Sequence, residues 1–130
     1  MEREGFVSLW VGHAESDLSL LEYVRIKYSE DGDYLPSQFL KDFNIDIDEF
    51  DEDYIERICL NKETHSIEKL INGCSYEDIV IPKFKDLLSE DSFEKFNAGI
   101  LLYNFQYDNK IKEINNSKNI FRFIGSVEYI

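Results

Sequence analysis

Residues 98–107, AGILLYNFQY, constrain the fold most, because an extended segment this apolar needs cover on both of its edges. The rich apolar content of residues 100–105 predicts a central strand, with Leu101, Tyr103, Phe105 and Tyr107 on one face. A tight turn at Asp108 and Asn109 follows, then KIKEI (110–114) and NIFRFIGSVEY (119–129), which together read as a C-terminal β-meander. Gly125 marks a bulge in its last strand.

Upstream, FVSLWVG (6–12) alternates, with Val7, Leu9 and Val11 on one side and Phe6, Ser8 and Trp10 on the other. It reads as a first strand ended by Gly12, with Trp10 as a packing residue. A helix is expected over about 16–28, capped by Ser16, with Leu18, Leu21, Val24 and Tyr28 along its apolar side. A shorter helical piece follows Pro36 and carries Phe39, Leu40 and Phe43. Residues 44–53 are charged on both sides and read as an exposed loop. From Tyr54 to Leu60 the β-formers return as a second strand, at a sheet edge.

Ile67, Leu70 and Ile71 mark a short helix stopped by Gly73. Ser75 and Asp78 have capping-box spacing, and Pro82 predicts that the helix carrying Phe84, Leu87 and Leu88 is kinked or broken. The order strand, helices, strand, helices, strands gives an α+β fold, a mainly antiparallel sheet with helices packed on it. At 130 residues, 43% of them hydrophobic, the chain suits one domain spanning 1–130.

Charge is distributed unevenly. Residues 30–56 hold eleven carboxylates against one cation, Lys41, and so carry −10 of the total −13. Such an excess opposes binding to nucleic acid or an anionic membrane surface and favours a cationic partner. An acidic run by itself is often only a solvated face. Here Tyr34, Phe50 and Tyr54 are interleaved, and aromatic anchors among charges combine packing with steering. The candidate partner-binding residues are therefore Glu30, Asp31, Asp33, Tyr34, Asp46, Asp48, Glu49, Phe50, Asp51, Glu52, Asp53, Tyr54 and Glu56.

Catalytic and metal signatures are missing from the sequence. Read as an EF-hand loop from Asp46, the chain has Phe50 at the fifth position and Asp51 at the sixth, where glycine is required. The six glycines are too dispersed for a P-loop, a nucleophile elbow or a dinucleotide fingerprint. His13 and His65 lack a second ligand at helical or hairpin spacing, and Cys59 and Cys74 fit no C-x-x-C pattern, so reduced, structural thiols are expected. No cofactor and no metal are expected. Neither a secretory leader nor an apolar run near the roughly 18 residues of a membrane span is visible, which implies a cytoplasmic protein.

Taken in order, FVSLWVG (6–12), YSEDGDYLPSQFLKDFNIDIDEFDEDYIE (28–56), SYEDIVIP (75–82), NAGILLYNFQYD (97–108) and FIGSVEY (123–129) resemble the immunity protein 22 family of bacterial polymorphic toxin systems. The likeness runs over nearly the whole chain, although His13 stands where a smaller polar residue is expected. The resemblance implies an α+β cytoplasmic protein without enzymatic activity that binds and neutralises a cognate toxin. A basic nuclease, whose cleft normally holds phosphate, fits the charge. The rival readings are a divalent-cation-responsive regulatory protein using the same carboxylates and a small hydrolase with dispersed residues.

Overall fold

The computed structural model describes residues 1–88, 95–115 and 119–130. Its elements in chain order are β1 (Glu2–His13), α1 (Asp17–Val24), β2 (Lys27–Tyr28), β3 (Tyr34–Leu35), α2 (Gln38–Asp42), two 3-10 turns (Ile47–Glu49 and Glu52–Tyr54), β4 (Ile55–Thr64), α3 (Ile67–Leu70), α4 (Glu77–Leu87), β5 (Phe96–Phe105), β6 (Glu113–Asn115) and β7 (Ile120–Glu128). Five strands form one antiparallel sheet in the order β4-β5-β1-β7-β6, and β2 and β3 form a separate hairpin. The α+β class and antiparallel sheet follow the sequence pattern.

Helices cover both faces of the sheet. On one, Trp10, Ile100 and Phe121 pack with Leu20 and Tyr23 of α1 and Phe39 and Phe43 of α2 and its end. On the other, Val7, Leu9 and Leu101 meet Ile67 and Leu70 of α3 and Val80 and Phe84 of α4. The alternation in β1 therefore has the expected consequence, since its odd and even residues feed different cores. Trp10 is fully buried, with edge-on contacts to Phe39 and Phe43. The strand runs one residue past Gly12, where the neighbouring backbone is so close that a Cβ would lie 1.8 Å from the Ile120 carbonyl oxygen.

β5 is flanked on both sides, as its composition predicts, but its neighbours are β4 and β1. The C-terminal strands are present, and β6 pairs with β7; β5 does not pair with β6, because β1 and β7 lie between them. The chain leaves β5 at a pinned corner: the buried Ser8 hydroxyl donates to the Phe105 carbonyl at 2.8 Å and accepts from the Tyr107 amide at 3.2 Å. Nor do Leu101, Tyr103, Phe105 and Tyr107 share a face. Asn104 takes a left-handed φ of 58°, which breaks the alternation, so Leu101 and Tyr103 face one core while Phe105 and Tyr107 face the other.

Other differences are local. Helix α1 is capped by Ser16 as expected but ends at Val24 and buries Leu20, Tyr23 and Val24, leaving Leu18 and Tyr28 exposed. The Tyr23 ring stacks on Phe121, and its hydroxyl donates to Asp42 at 2.8 Å, so an aromatic anchor sets the buried stripe. The α3 helix is followed by Gly73 at φ 87°, the expected stop. The capping box at Ser75 does not form, because the Ser75 amide donates to the Glu56 carboxylate at 3.0 Å and Tyr76 takes the cap position without a side-chain bond. Helix α4 runs unbroken through Pro82, on an exposed side of the helix that also carries Asp78, whose carbonyl loses its helical donor to the proline. Opposite β1, the register slips between Leu9 and Trp10 at Gly125, the predicted bulge.

Candidate partner-binding surface

The acidic segment divides into two structures. Glu30, Asp31 and Asp33 occupy the exposed turn of the β2–β3 hairpin, which is closed by the Ser29 amide donating to the Asp33 carbonyl at 2.9 Å. Tyr34 is 64% exposed, with its ring centroid 5.1 Å from that of Tyr28 across the hairpin. Partial desolvation, then the Glu52 carboxylate and Tyr34, raise the Tyr28 phenol above its ordinary value.

The second structure is the pair of 3-10 turns. Asp46 accepts from the Asp48 amide at 2.9 Å, and Asp51 repeats the arrangement with the Asp53 amide at 3.0 Å. These two carboxylates hold the backbone as well as carry charge. Expected to be a wholly exposed loop, this stretch instead sends Ile45 and Phe50 into the core containing Trp10. Phe50 is only 9% exposed, so it is not an anchor offered to a partner. Its apolar ring is more stable inside, and there it fixes the turns.

A groove of about 220 Å³ joins the second structure to distant parts of the chain. Glu49, Asp51 and Tyr54 form one wall, Glu2 and Glu4 of β1 another, and residues 102–105 of β5 the floor. The convergence depends on Asn104, whose side-chain oxygen accepts from the Gly5 amide at 3.1 Å and from the Tyr129 hydroxyl at 2.5 Å. Glu49 also lies 3.8 Å from the amino group of Met1 and borders a smaller hollow that includes Asp46, Asp108 and Lys110.

Tyrosines continue this surface. Tyr129 packs against Tyr76 at 4.7 Å and Tyr103 at 5.2 Å. Burial, then Tyr76, Tyr54 and Glu4, raise the Tyr129 phenol, and Tyr103, which lines the groove, joins it to this cluster. Burial pushes the Cys74 thiol up to about 11, and Tyr103 is raised by burial and then by Cys74 and Glu56. Both cysteines are free thiols. Glu56 is half-buried and bonded to the Ser75 amide, so it joins the cluster from beneath.

The structure thus brings Glu49, Asp51 and Tyr54 together, leaves Glu52 exposed on the second 3-10 turn, and displays Glu30, Asp31 and Asp33 at the hairpin turn. Asp48 and Asp53 are exposed on the 3-10 turns. Sequence reasoning did not include Glu2, Glu4, Tyr76, Tyr103 or Tyr129. The alternation of β5 places Tyr103 opposite the Ile100 face, but nothing local in the sequence announces the pairing that brings β1 to it.

At the other end of the strands a cleft of about 320 Å³ contains His13, Glu63, Lys95, Glu113 and Arg122, with charges of both signs. His13 lies 3.5 Å from Glu63 at the surface, and His65 is exposed. Among the described residues, no group of three or more His, Cys, Asp or Glu side chains is arranged to hold a metal ion, and no helix is long and apolar enough to cross a membrane.

A family model described as Immunity protein 22 matches residues 7–129. No curated protein and no solved structure matches the chain.

Proposed function

We propose, since the chain belongs to the Immunity protein 22 family, that it protects a bacterial cell by binding a basic toxin in the cytoplasm through its acidic surface, without catalysing a reaction. The immunity role comes from the family. The groove carries the finer reading, because its carboxylates from β1 and the 3-10 turns converge beside the exposed Tyr54 ring. Like charges gathered this closely repel one another, a cost that a cationic partner turns into attraction.

A nuclease domain suits such a surface, since the cleft that holds nucleic-acid phosphates would accept carboxylates in their place. Long-range attraction raises the association rate toward about 10⁸ M⁻¹s⁻¹ at low salt, and the aromatic rings slow release. The hairpin turn, with Glu30, Asp31 and Asp33, contributes to steering, while Glu49, Asp51 and Tyr54 make the close contact.

Co-expression with the protein encoded beside it tests the role. Loss of the neighbour's toxicity together with co-purification is the expected result. Protection that survives intact in a Glu49→Gln, Asp51→Asn, Tyr54→Ala variant, with unchanged affinity, would rule out this surface.

A further inference from the structure

The two edges of the main sheet are unlike. Strand β6 is three residues long, whereas β4 has ten residues, with charges at Glu56, Arg57, Lys62 and Glu63, and lies at the other end of the strand order. A very short edge limits further strand pairing; a long edge without proline leaves backbone donors and acceptors available.

Strand β4 uses one side to pair with β5, through residues 55–59 and again at Thr64, and the register slips between Cys59 and Thr64. Among the described residues, no strand pairs with its other side. The side chains are also incompletely covered. Ile55 and Cys59 lean on the core containing Trp10, Ile58 and Leu60 lean on the opposite one, and all four are only half-buried. Their register partners on β5 are buried, with Leu102 opposite Ile55 and Ala98 opposite Cys59. Both cores therefore open at the same strand.

We infer that the outer edge of β4 receives an extended strand of the toxin, adding a sixth strand to the sheet; this rests on the immunity reading above. The regular portion, residues 55–60, offers an edge of about 20 Å. Alternate apolar side chains on the incoming strand would complete cover over Ile58 and Leu60 on one face and Ile55 and Cys59 on the other. Asp51, Glu52 and Asp53 lead directly into β4 and call for Lys or Arg at the adjoining end of that strand. A second copy of this chain is a poorer occupant, because each copy carries −13.

Amide hydrogen exchange of the full chain, alone and with the toxin encoded beside it, reads the edge directly. Alternate amides in 55–60 should slow by about tenfold or more in the complex, since amides that point away from β5 gain acceptors. A complex that protects the hairpin and the groove but leaves these amides unchanged overturns strand addition while leaving the immunity reading intact. Failure to form any complex removes both. Slowing that depends on the concentration of this chain alone assigns the edge to a second copy and overturns the inference.

Discussion

The two halves of the acidic segment carry the same kind of charge but are built differently. The β2–β3 hairpin displays Glu30, Asp31 and Asp33 on a turn whose neighbouring tyrosines are solvent-exposed, whereas the stretch from Ile45 to Tyr54 is tied down by buried Ile45 and Phe50 and by two aspartate-capped turns. A charge on the first sits on an exposed turn held by its own backbone bonds, whereas the second is fixed as well by residues buried in the core. On the proposed reading, steering and close contact fall to different parts of one run of sequence.

The sharpest way to break this contrast is to remove one aromatic group from each half. Phe50→Ala should cost about 3 kcal/mol of stability, through lost burial and a cavity beside the core of Trp10. Tyr34→Ala should stay within about 0.5 kcal/mol, because its ring is mostly in water. Urea unfolding followed by emission of the single tryptophan, Trp10, measures both. Equal costs would mean that the hairpin is anchored as firmly as the turns.

Binding should separate the halves next. Tyr54→Ala should raise the dissociation rate of the toxin complex about tenfold, with little change in association, as expected for an anchor at a contact. Stopped-flow association and competition-driven dissociation give the two rates. A change confined to association would move Tyr54 from contact to steering.

Much of this contrast was legible from the chain, and where it was not the cause is physical. The Ser16 cap, the Gly73 stop, the Gly125 bulge and the edge position of β4 are local signals, and each is found where the residues put it. The charge excess between residues 30 and 56 was equally plain. Phe50 departs from the pattern of its neighbours because flanking carboxylates favour exposure, while the hydrophobic gain of burying one ring outweighs them. The groove was hidden for another reason. It needs Glu2 and Glu4 beside Asn104, a pairing set by the Gly5 amide across 99 residues of sequence and by a left-handed asparagine that alternation cannot reveal. Tyr76, at φ 60°, is hidden in the same way.

The aspartates test the geometry of the turns at a smaller scale. Asp46→Ala should cost about 1 kcal/mol by releasing the Asp48 amide, and Asp46→Asn, which keeps an acceptor oxygen, should recover most of it. Among the described residues the Asp31 carboxylate accepts no such bond, so Asp31→Ala should be within about 0.5 kcal/mol of the parent. Thermal melts of the three variants decide the matter.

Neutralising the hairpin turn should weaken binding less than any change to the fixed half. With Glu30→Gln, Asp31→Asn and Asp33→Asn combined, the association rate should fall by about threefold at low salt, its salt dependence should flatten, and dissociation should be unchanged. An effect that persists at high salt would indicate direct contact at the turn.

The smallest effect examines the seam between the halves. The Tyr28 phenol is raised by desolvation and then by Glu52 and Tyr34, so Glu52→Gln should lower its titration midpoint toward the ordinary tyrosine value. The sign follows from linkage. A folded-state value above the unfolded one favours folding while the phenol is protonated, and that contribution disappears as pH rises through the folded-state midpoint. The variant should therefore lose the contribution at lower pH. Tyr28 ring resonances followed by NMR between pH 8 and about 11.5 would show the displacement. An identical midpoint in the variant would mean that Glu52 does not reach the hairpin, and the two halves would then act on the toxin as separate surfaces.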